Sequence, residues 1–203
     1  MTRPLIYGQG FNDGSLPTKL NGKHLKEYLV WRSMICRCYS AYSLKLKPTY
    51  KVVEVCENFK SYSYFYNWCQ NQVGFKRPDF VFDKDILDPT GRIYSEANCV
   101  FIPQALNKLL TLRQRDRSKH ALGVIKEKGK EPRFKSLLNM GVRYSRNVSK
   151  ETFSSAEEAH QDYLRRKKDF ICQQAEKYRA DLDVRVYEAL MTFNLEERLS
   201  CLN

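Results

Sequence analysis

The stretch from Phe80 to Leu112 restricts the fold more than any other part of the chain. Phe80-Val81-Phe82-Asp83-Lys84-Asp85-Ile86 is rich in aromatic and β-branched residues and predicts a strand. Asp88-Pro89-Thr90-Gly91 supplies turn chemistry. Arg92-Ile93-Tyr94 leads back, and Cys99-Val100-Phe101-Ile102 predicts a second short strand. Pro103 suits the first position of a helix, where its missing N–H costs nothing. That helix is expected over residues 104–112, with Leu106, Leu109 and Leu110 on its apolar side. The order strand, turn, strand, helix sets the fold class at α+β.

Other segments fit around this core. Residues 1–23 are rich in Gly, Asn, Asp and Pro and read as an irregular arm. Tyr28, Trp31, Ile35 and Cys38 recur at three- and four-residue spacing and predict a helix over 24–39. A second helix is expected over 57–71, burying Phe59, Tyr62, Phe65 or Tyr66, and Trp68 or Cys69. Its aromatic stripe is read as core. Further on, residues 122–125, 133–137 and 142–144 predict three short strands. Ser154 or Ser155 can cap a helix running to about Tyr178, with Glu157 and Glu158 in its first turn. Asp181 or Asp183 starts a last helix that buries Val186, Leu190 and Phe193. Arg165-Arg166-Lys167-Lys168 on the long helix is expected to be a solvated basic surface.

Charge narrows the partner. The net charge is +12, and a field of that sign favours polyanions. It is concentrated: residues 113–150 hold 12 basic and 3 acidic side chains, a net +9. Residues 151–203 hold 8 and 11, a net −3. No apolar run has membrane-spanning length, and no secretory signal follows Met1, so nucleic acid is favoured over a membrane. The seven cysteines are an odd set and are read as reduced thiols. Structural zinc on Cys38, Cys56 and Cys99 is the sharper alternative and is not expected, since Cys36-Arg37-Cys38 has too short a spacing for a zinc knuckle.

Asp83 near the end of a first strand and Asn107 one turn into the following helix are the pair a ββα-metal nuclease uses to hold a divalent cation. Phe82-Asp83-Lys84-Asp85-Ile86-Leu87, Tyr94-Ser95, Cys99-Val100-Phe101-Ile102-Pro103-Gln104 and Asn107 together resemble phage HNH (His-Me finger) homing endonuclease-like proteins. Tyr28, Trp31-Arg32, Met34, Arg37-Cys38-Tyr39 and Pro48-Thr49-Tyr50 carry the resemblance upstream. It implies a metal-dependent DNA endonuclease of homing or nicking type, using Mg²⁺ or Mn²⁺. Asp83 would be the first ligand, Asn107 the second, and Asn98 the residue orienting the base. Lys84 would stand in the place of the general-base histidine. Asp85, sharing a strand face with Asp83, is a further candidate ligand. His24, His120 and His160 all lie outside the motif. Lysine is a poor base at neutral pH, so a second reading stays open. In that reading a catalytically degenerate relative binds DNA, or engages a host protein to block defence.

Leu122-Gly123-Val124, Arg133-Phe134-Lys135-Ser136 and Phe153-Ser154-Ser155-Ala156-Glu157-Glu158-Ala159 with Tyr163 resemble an ethylene-response-factor (APETALA-type) domain. That implies a small three-stranded sheet, backed by a long helix, laid in the major groove of double-stranded DNA. Arg133, Lys135, Arg143 and Arg146 would face the duplex. The expected organisation is an HNH-like module with N-terminal helices over 1–112, a basic linker over 113–119 and the DNA-binding domain over 120–203. The resemblance places the protein in the cytoplasm of an infected bacterial host.

Overall fold

A computed structural model describes residues 4–111, 120–129, 131–140 and 146–200. The chain is a mixed α+β protein with small sheets. It divides into two compact units, Met1–Ile102 and Pro103–Asn203. The expected linker over 113–119 lies outside the described residues.

The first unit opens with a small hairpin, β1 (Lys19–Leu20) and β2 (Lys23–His24). Helix α1 (Lys26–Tyr39) follows and buries Trp31, Met34, Ile35 and Cys38, close to the stripe its spacing predicts. Short helix α2 (Ala41–Leu46) is capped by the Ser40 side chain, and a 3-10 turn covers Pro48–Val52. Strand β3 (Glu54–Val55) leads to α3 (Glu57–Lys60) and α4 (Tyr62–Gln70). The single helix expected over 57–71 is therefore broken at Ser61. The break is a long-range effect. Phe11 of the N-terminal arm donates its N–H to the Lys60 carbonyl and accepts from Tyr62 N–H, both at 2.8 Å, holding Ser61 extended. Ser61 then caps α4 with its hydroxyl.

Strand β4 (Phe80–Asp83) pairs with β6 (Val100–Pro103), while β5 (Ile93–Tyr94) pairs in parallel with β3. The strand expected over 80–86 stops three residues early. Asp83 Oδ1 accepts the N–H groups of Asp85 at 2.9 Å and Ile86 at 2.8 Å, a local turn that competes with the ladder. The core of this unit is aromatic. Trp31, Phe59, Tyr62, Phe65 and Phe101 are each at most 1% exposed, and burial on that scale favours folding by about 1.5–3 kcal/mol per large side chain. Trp31 donates its indole N–H to the Phe59 carbonyl at 2.9 Å, and Tyr62 its hydroxyl to Pro17 at 2.7 Å, so neither polar tip is stranded.

The second unit opens with α5 (Gln104–Leu110), which Pro103 precedes as N-cap rather than as first helical residue. Three antiparallel strands follow in the order β7 (Val124–Lys126), β8 (Phe134–Asn139), β9 (Arg146–Val148). The expected strand over 142–144 falls on 141–145, outside the described residues; the third strand that is described lies at 146–148. Long helix α6 (Ala156–Tyr178) backs the sheet, and Val124, Phe134 and Ala159 form the contact, with Phe153 and Ala156 against them. Ser155 and Glu158 form a reciprocal capping box at its start. Helices α7 (Val184–Met191), capped by Asp183, and α8 (Leu195–Ser200) close the unit, with Val186, Leu190 and Phe193 buried.

Candidate functional site

Asp83, Lys84, Asp85 and Asn98 lie in the first unit, on the end of β4 and in the segment that returns to β6. Lys84 is 7% exposed. Its ammonium donates to the Asp85 carboxylate and stands 5.7 Å from the Tyr50 ring centre and 5.5 Å from that of Tyr94. A cation held against two ring faces and a carboxylate is in a site built for positive charge. Gly91 closes it. Its φ is +56°, and a Cβ there would sit 2.2 Å from Asp85 Oδ1 and 2.9 Å from Lys84 Nζ, so a side chain at this position would displace the pair. Tyr94 is buried and stacks on Phe82 at 5.7 Å, while Arg37 Nη1 lies 3.4 Å from its hydroxyl. Burial, together with Tyr50 beside it, pushes the Tyr94 phenol well above its ordinary value.

Asp83 is half-buried. Burial, and then the Asp85 charge, raises its carboxyl above the usual carboxylate range, while the two amides on Oδ1 pull it back. Regular strand alternation would give Asp85 the same face as Asp83. Because β4 ends at Asp83, that alternation stops there, and the Asp85 carboxylate is engaged by Lys84 instead. Asn98 donates to Asp88 Oδ2 at 3.2 Å, and Asp88 Oδ1 accepts from Thr90 N at 2.9 Å and Thr90 Oγ1 at 2.6 Å. Asn98 therefore ties the return segment to the Asp-Pro-Thr-Gly turn. Asn107 belongs to the second unit, one turn into α5, where its carbonyl accepts from Thr111 N–H at 3.0 Å and Thr111 hydroxyl at 2.8 Å.

A divalent ion such as Mg²⁺ collects several oxygens at once and tolerates no ammonium among them. In the first unit an ammonium already neutralises one of the two candidate carboxylates. Among the described residues no group of three or more His, Cys, Asp or Glu side chains is arranged to hold a metal. Asp85 is thus committed to Lys84 in the structure. Burial pushes the Cys38 thiol up to about 11 and raises those of Cys56 and Cys99.

The second unit holds the basic candidates. On β8 the side chains alternate: Phe134, Ser136 and Leu138 are buried toward α6, while Lys135, Leu137 and Asn139 belong to the opposite face. Pairing extends that outer face. Ile125 lies opposite Lys135, Val148 opposite Leu137, and Arg146 opposite Asn139. The result is an apolar row across the sheet, with Lys135 on one side and Asn139 and Arg146 on the other. Arg146 and Arg133 are exposed, and Lys135 is half-buried in an ion pair with Glu127 at 2.9 Å. Arg143 lies outside the described residues.

The basic tetrad on α6 is only half the solvated surface that its composition suggests: Arg165 and Lys168 are exposed, while Arg166 and Lys167 turn inward. Lys167 is 4% exposed and donates to the Leu109 carbonyl in the last turn of α5, at 2.5 Å. Arg166 reaches across two strands. It donates to the Ser136 carbonyl at 3.3 Å and hydroxyl at 2.5 Å, and to the Asn147 carbonyl at 3.2 Å and side-chain oxygen at 2.5 Å. Asp162 completes the cluster, accepting from Ser136 at 2.6 Å and from Arg165 at 2.6 Å. A run of four cations does not reveal which members turn inward; that depends on the polar backbone the sheet presents to them. Likewise Tyr50, Tyr94 and Gly91 stand in the sequence as motif and turn residues, with no local sign that they enclose one ammonium.

Comparison of the chain with protein-family models, with curated proteins and with solved structures finds no match.

Proposed function

We propose that the chain is a double-stranded-DNA-binding protein of HNH-like build, in which the outer face of β7–β8–β9 is the docking surface. The observation that carries this is the alternation on β8 and β9, which sets Lys135, Asn139 and Arg146 on the face opposite the backing helix. Arg and Asn are side chains that pair with base edges, and phosphate is the commoner target of a cation. The +9 stretch over 113–150 gives the same region the long-range attraction that a duplex needs. In the first unit the β4–β6 pair serves as a scaffold, with Lys84 turned to an internal role.

The test is fluorescence anisotropy with duplex DNA over a range of salt, in EDTA. Binding should weaken steeply as salt rises, and Arg146→Ala or Lys135→Ala should lower the salt slope by about 1 for each phosphate that is no longer neutralised. Absence of binding at about 50 mM salt, or binding indifferent to salt, would refute the proposal.

The second reading is a metal-dependent homing or nicking endonuclease. It is favoured by one observation: Asp83 ends a strand that is paired with β6, and α5, carrying Asn107, follows β6 directly in the chain. Nicking of plasmid DNA with Mn²⁺ that is abolished in Asp83→Ala would establish it. Stoichiometric co-purification of a host protein in the absence of DNA binding would favour the host-directed reading instead.

A further inference from the structure

We propose that Ile125, Leu137 and Val148, the apolar side chains on the outer face of β7–β8–β9, read the 5-methyl groups of thymine in the major groove, so that the sheet distinguishes thymine from uracil. This rests on the reading that the outer face docks on double-stranded DNA, and deepens it by naming the base feature recognised.

Strand register fixes which side chains share the face. Phe134, Ser136 and Leu138 are buried toward α6, so Lys135, Leu137 and Asn139 take the other side. Val148 stands directly opposite Leu137, and Ile125 lies opposite Lys135, one step along from Leu137 on the same face. Asn147, between Arg146 and Val148, accepts from Arg166 of α6 on the inner side, which independently assigns its two neighbours to the outer one. Val148 is 42% exposed, and Ile125 and Leu137 are half-buried. Single exposed apolar residues need no explanation, but here three strands contribute one each to a joint patch.

The rim decides the occupant. Lys126, Lys128, Arg133, Arg146 and Lys150 around these strands are exposed, within or beside the segment of net +9. Two copies of such a face repel one another, and three side chains fall well short of the roughly 800 Å² per partner that stable association buries. A duplex complements it. Phosphates meet the cations, and the major-groove floor offers one apolar group, the thymine methyl, among its donors and acceptors. Asn139 and Arg146, the next opposed pair after Leu137 and Val148, carry the amide and guanidinium that match adenine and guanine edges. Glu127, which follows β7, is neutralised by Lys135 at 2.9 Å and does not spoil the match.

The experiment enriches duplexes of randomised sequence by binding to the full chain in EDTA. The enriched duplexes are then remade with deoxyuridine for thymidine, which removes a methyl and leaves charge and pairing unchanged. Fluorescence anisotropy compares the two forms. Enriched sequences should share A·T pairs, and the exchange should weaken binding about three- to fourfold for each contacted methyl, with the salt slope unchanged. Leu137→Ala combined with Val148→Ala should bring the ratio of the two affinities toward one. Arg146→Ala should weaken both forms together. Folding of each variant is checked by circular dichroism. Salt-dependent binding that is indifferent to the exchange, or enriched sequences with no shared A·T pair, overturns the proposal and leaves the DNA reading standing; neither outcome depends on a variant. An undiminished ratio in the folded double variant overturns the assignment to these side chains. A dimer in sedimentation that is lost in Val148→Ala, or tighter binding to duplex RNA than to DNA, overturns it as well. No binding to any duplex sinks the DNA reading itself.

Discussion

Arg166 on α6 is placed to hold the proposed DNA-facing sheet in register without touching that face. Its guanidinium joins the Ser136 carbonyl and hydroxyl on β8 to the Asn147 carbonyl and side chain on β9, with Asp162 3.7 Å away. Replacing it with Met keeps most of the stem and removes every donor. Ser136 O still accepts from Ser149 N–H at 2.8 Å, and the Asn147 end is exposed enough for water to take over. Asp162 keeps Arg165 and the Ser136 hydroxyl. The substitution removes one charged hydrogen-bond set to a fully buried residue and part of an ion pair, so the cost is about 2–3 kcal/mol rather than the larger penalty of stranding a buried charge. Urea unfolding followed by far-ultraviolet circular dichroism measures it. Both tryptophans, Trp31 and Trp68, lie in the first unit, so tryptophan emission gives an internal control that should move less. Hydrogen exchange supplies the local readout: the amides of residues 146–148 should lose protection first, because this side chain ties β9 to the helix. Because β9 carries Arg146, DNA affinity should fall by about three- to tenfold with no change in salt slope. A stability loss under about 0.5 kcal/mol with unchanged protection of β9 would refute this account of Arg166.

Two further substitutions test the second unit at other points. Gly123 has φ +77°, and a Cβ there would lie 2.1 Å from Tyr163 Cδ2 and 2.2 Å from its Cγ. Gly123→Ala should therefore cost about 2–4 kcal/mol, from left-handed backbone strain plus displacement of a packed ring, read as a lowered urea midpoint. Asp183 caps α7 by accepting from Arg185 N–H at 2.9 Å, and its hydrogen bond to the Arg185 guanidinium holds its carboxyl below the usual range. A depressed carboxylate contributes stability that is present above the unfolded value and is lost as pH falls through the folded one. Asp183→Ala should accordingly cost about 1 kcal/mol at pH 7 and nothing once the pH is below the folded value, as measured by thermal melts across acidic pH.

Much of the backbone plan is legible because it is written in local spacing. The apolar periodicity of Trp31, Ile35 and Cys38 marks α1, and the Ser155–Glu158 box marks the start of α6. What spacing cannot carry is pairing with a distant segment. Phe11 divides α3 from α4 although it lies far upstream in the chain. Ile93-Tyr94 reads as part of a simple return strand, yet it joins β3 in parallel. At the candidate site, composition locates Asp83, Lys84 and Asp85 but cannot orient them. The side chain of Asp83 ends its own strand, which turns Asp85 away from the alternation that would have made it a partner of Asp83. In the same way Arg166 and Lys167 read as solvated charge until a sheet and a helix terminus are set beneath them.

The placement of Lys84 also bears on where DNA can approach. The Lys84 side chain is 8% exposed while that of Asp85 is 57% exposed, so the pair presents its acidic member to solvent. A phosphate backbone is repelled by that face, and the positive charge that the sequence offers at Lys84 is already neutralised within the fold. The same is true of Lys26, whose ammonium is committed to the Phe75 carbonyl at 2.6 Å and the Arg77 carbonyl at 2.8 Å. At these two positions formal charge thus overstates what is offered to a polyanion, while Lys19, Lys23, Arg32, Lys45, Lys47, Lys51, Lys76 and Arg92 of the same unit are exposed. On the outer face of the second unit, Arg133 and Arg146 are exposed, and Lys135 has a solvent-accessible glutamate to leave. Exchange of that glutamate for phosphate is inexpensive, because a surface pair of this kind contributes only about 0–1 kcal/mol. In the proposed reading, the exposed cations of the sheet contact the duplex, so neutralising Lys84 should leave DNA affinity unchanged while neutralising Arg146 should lower it.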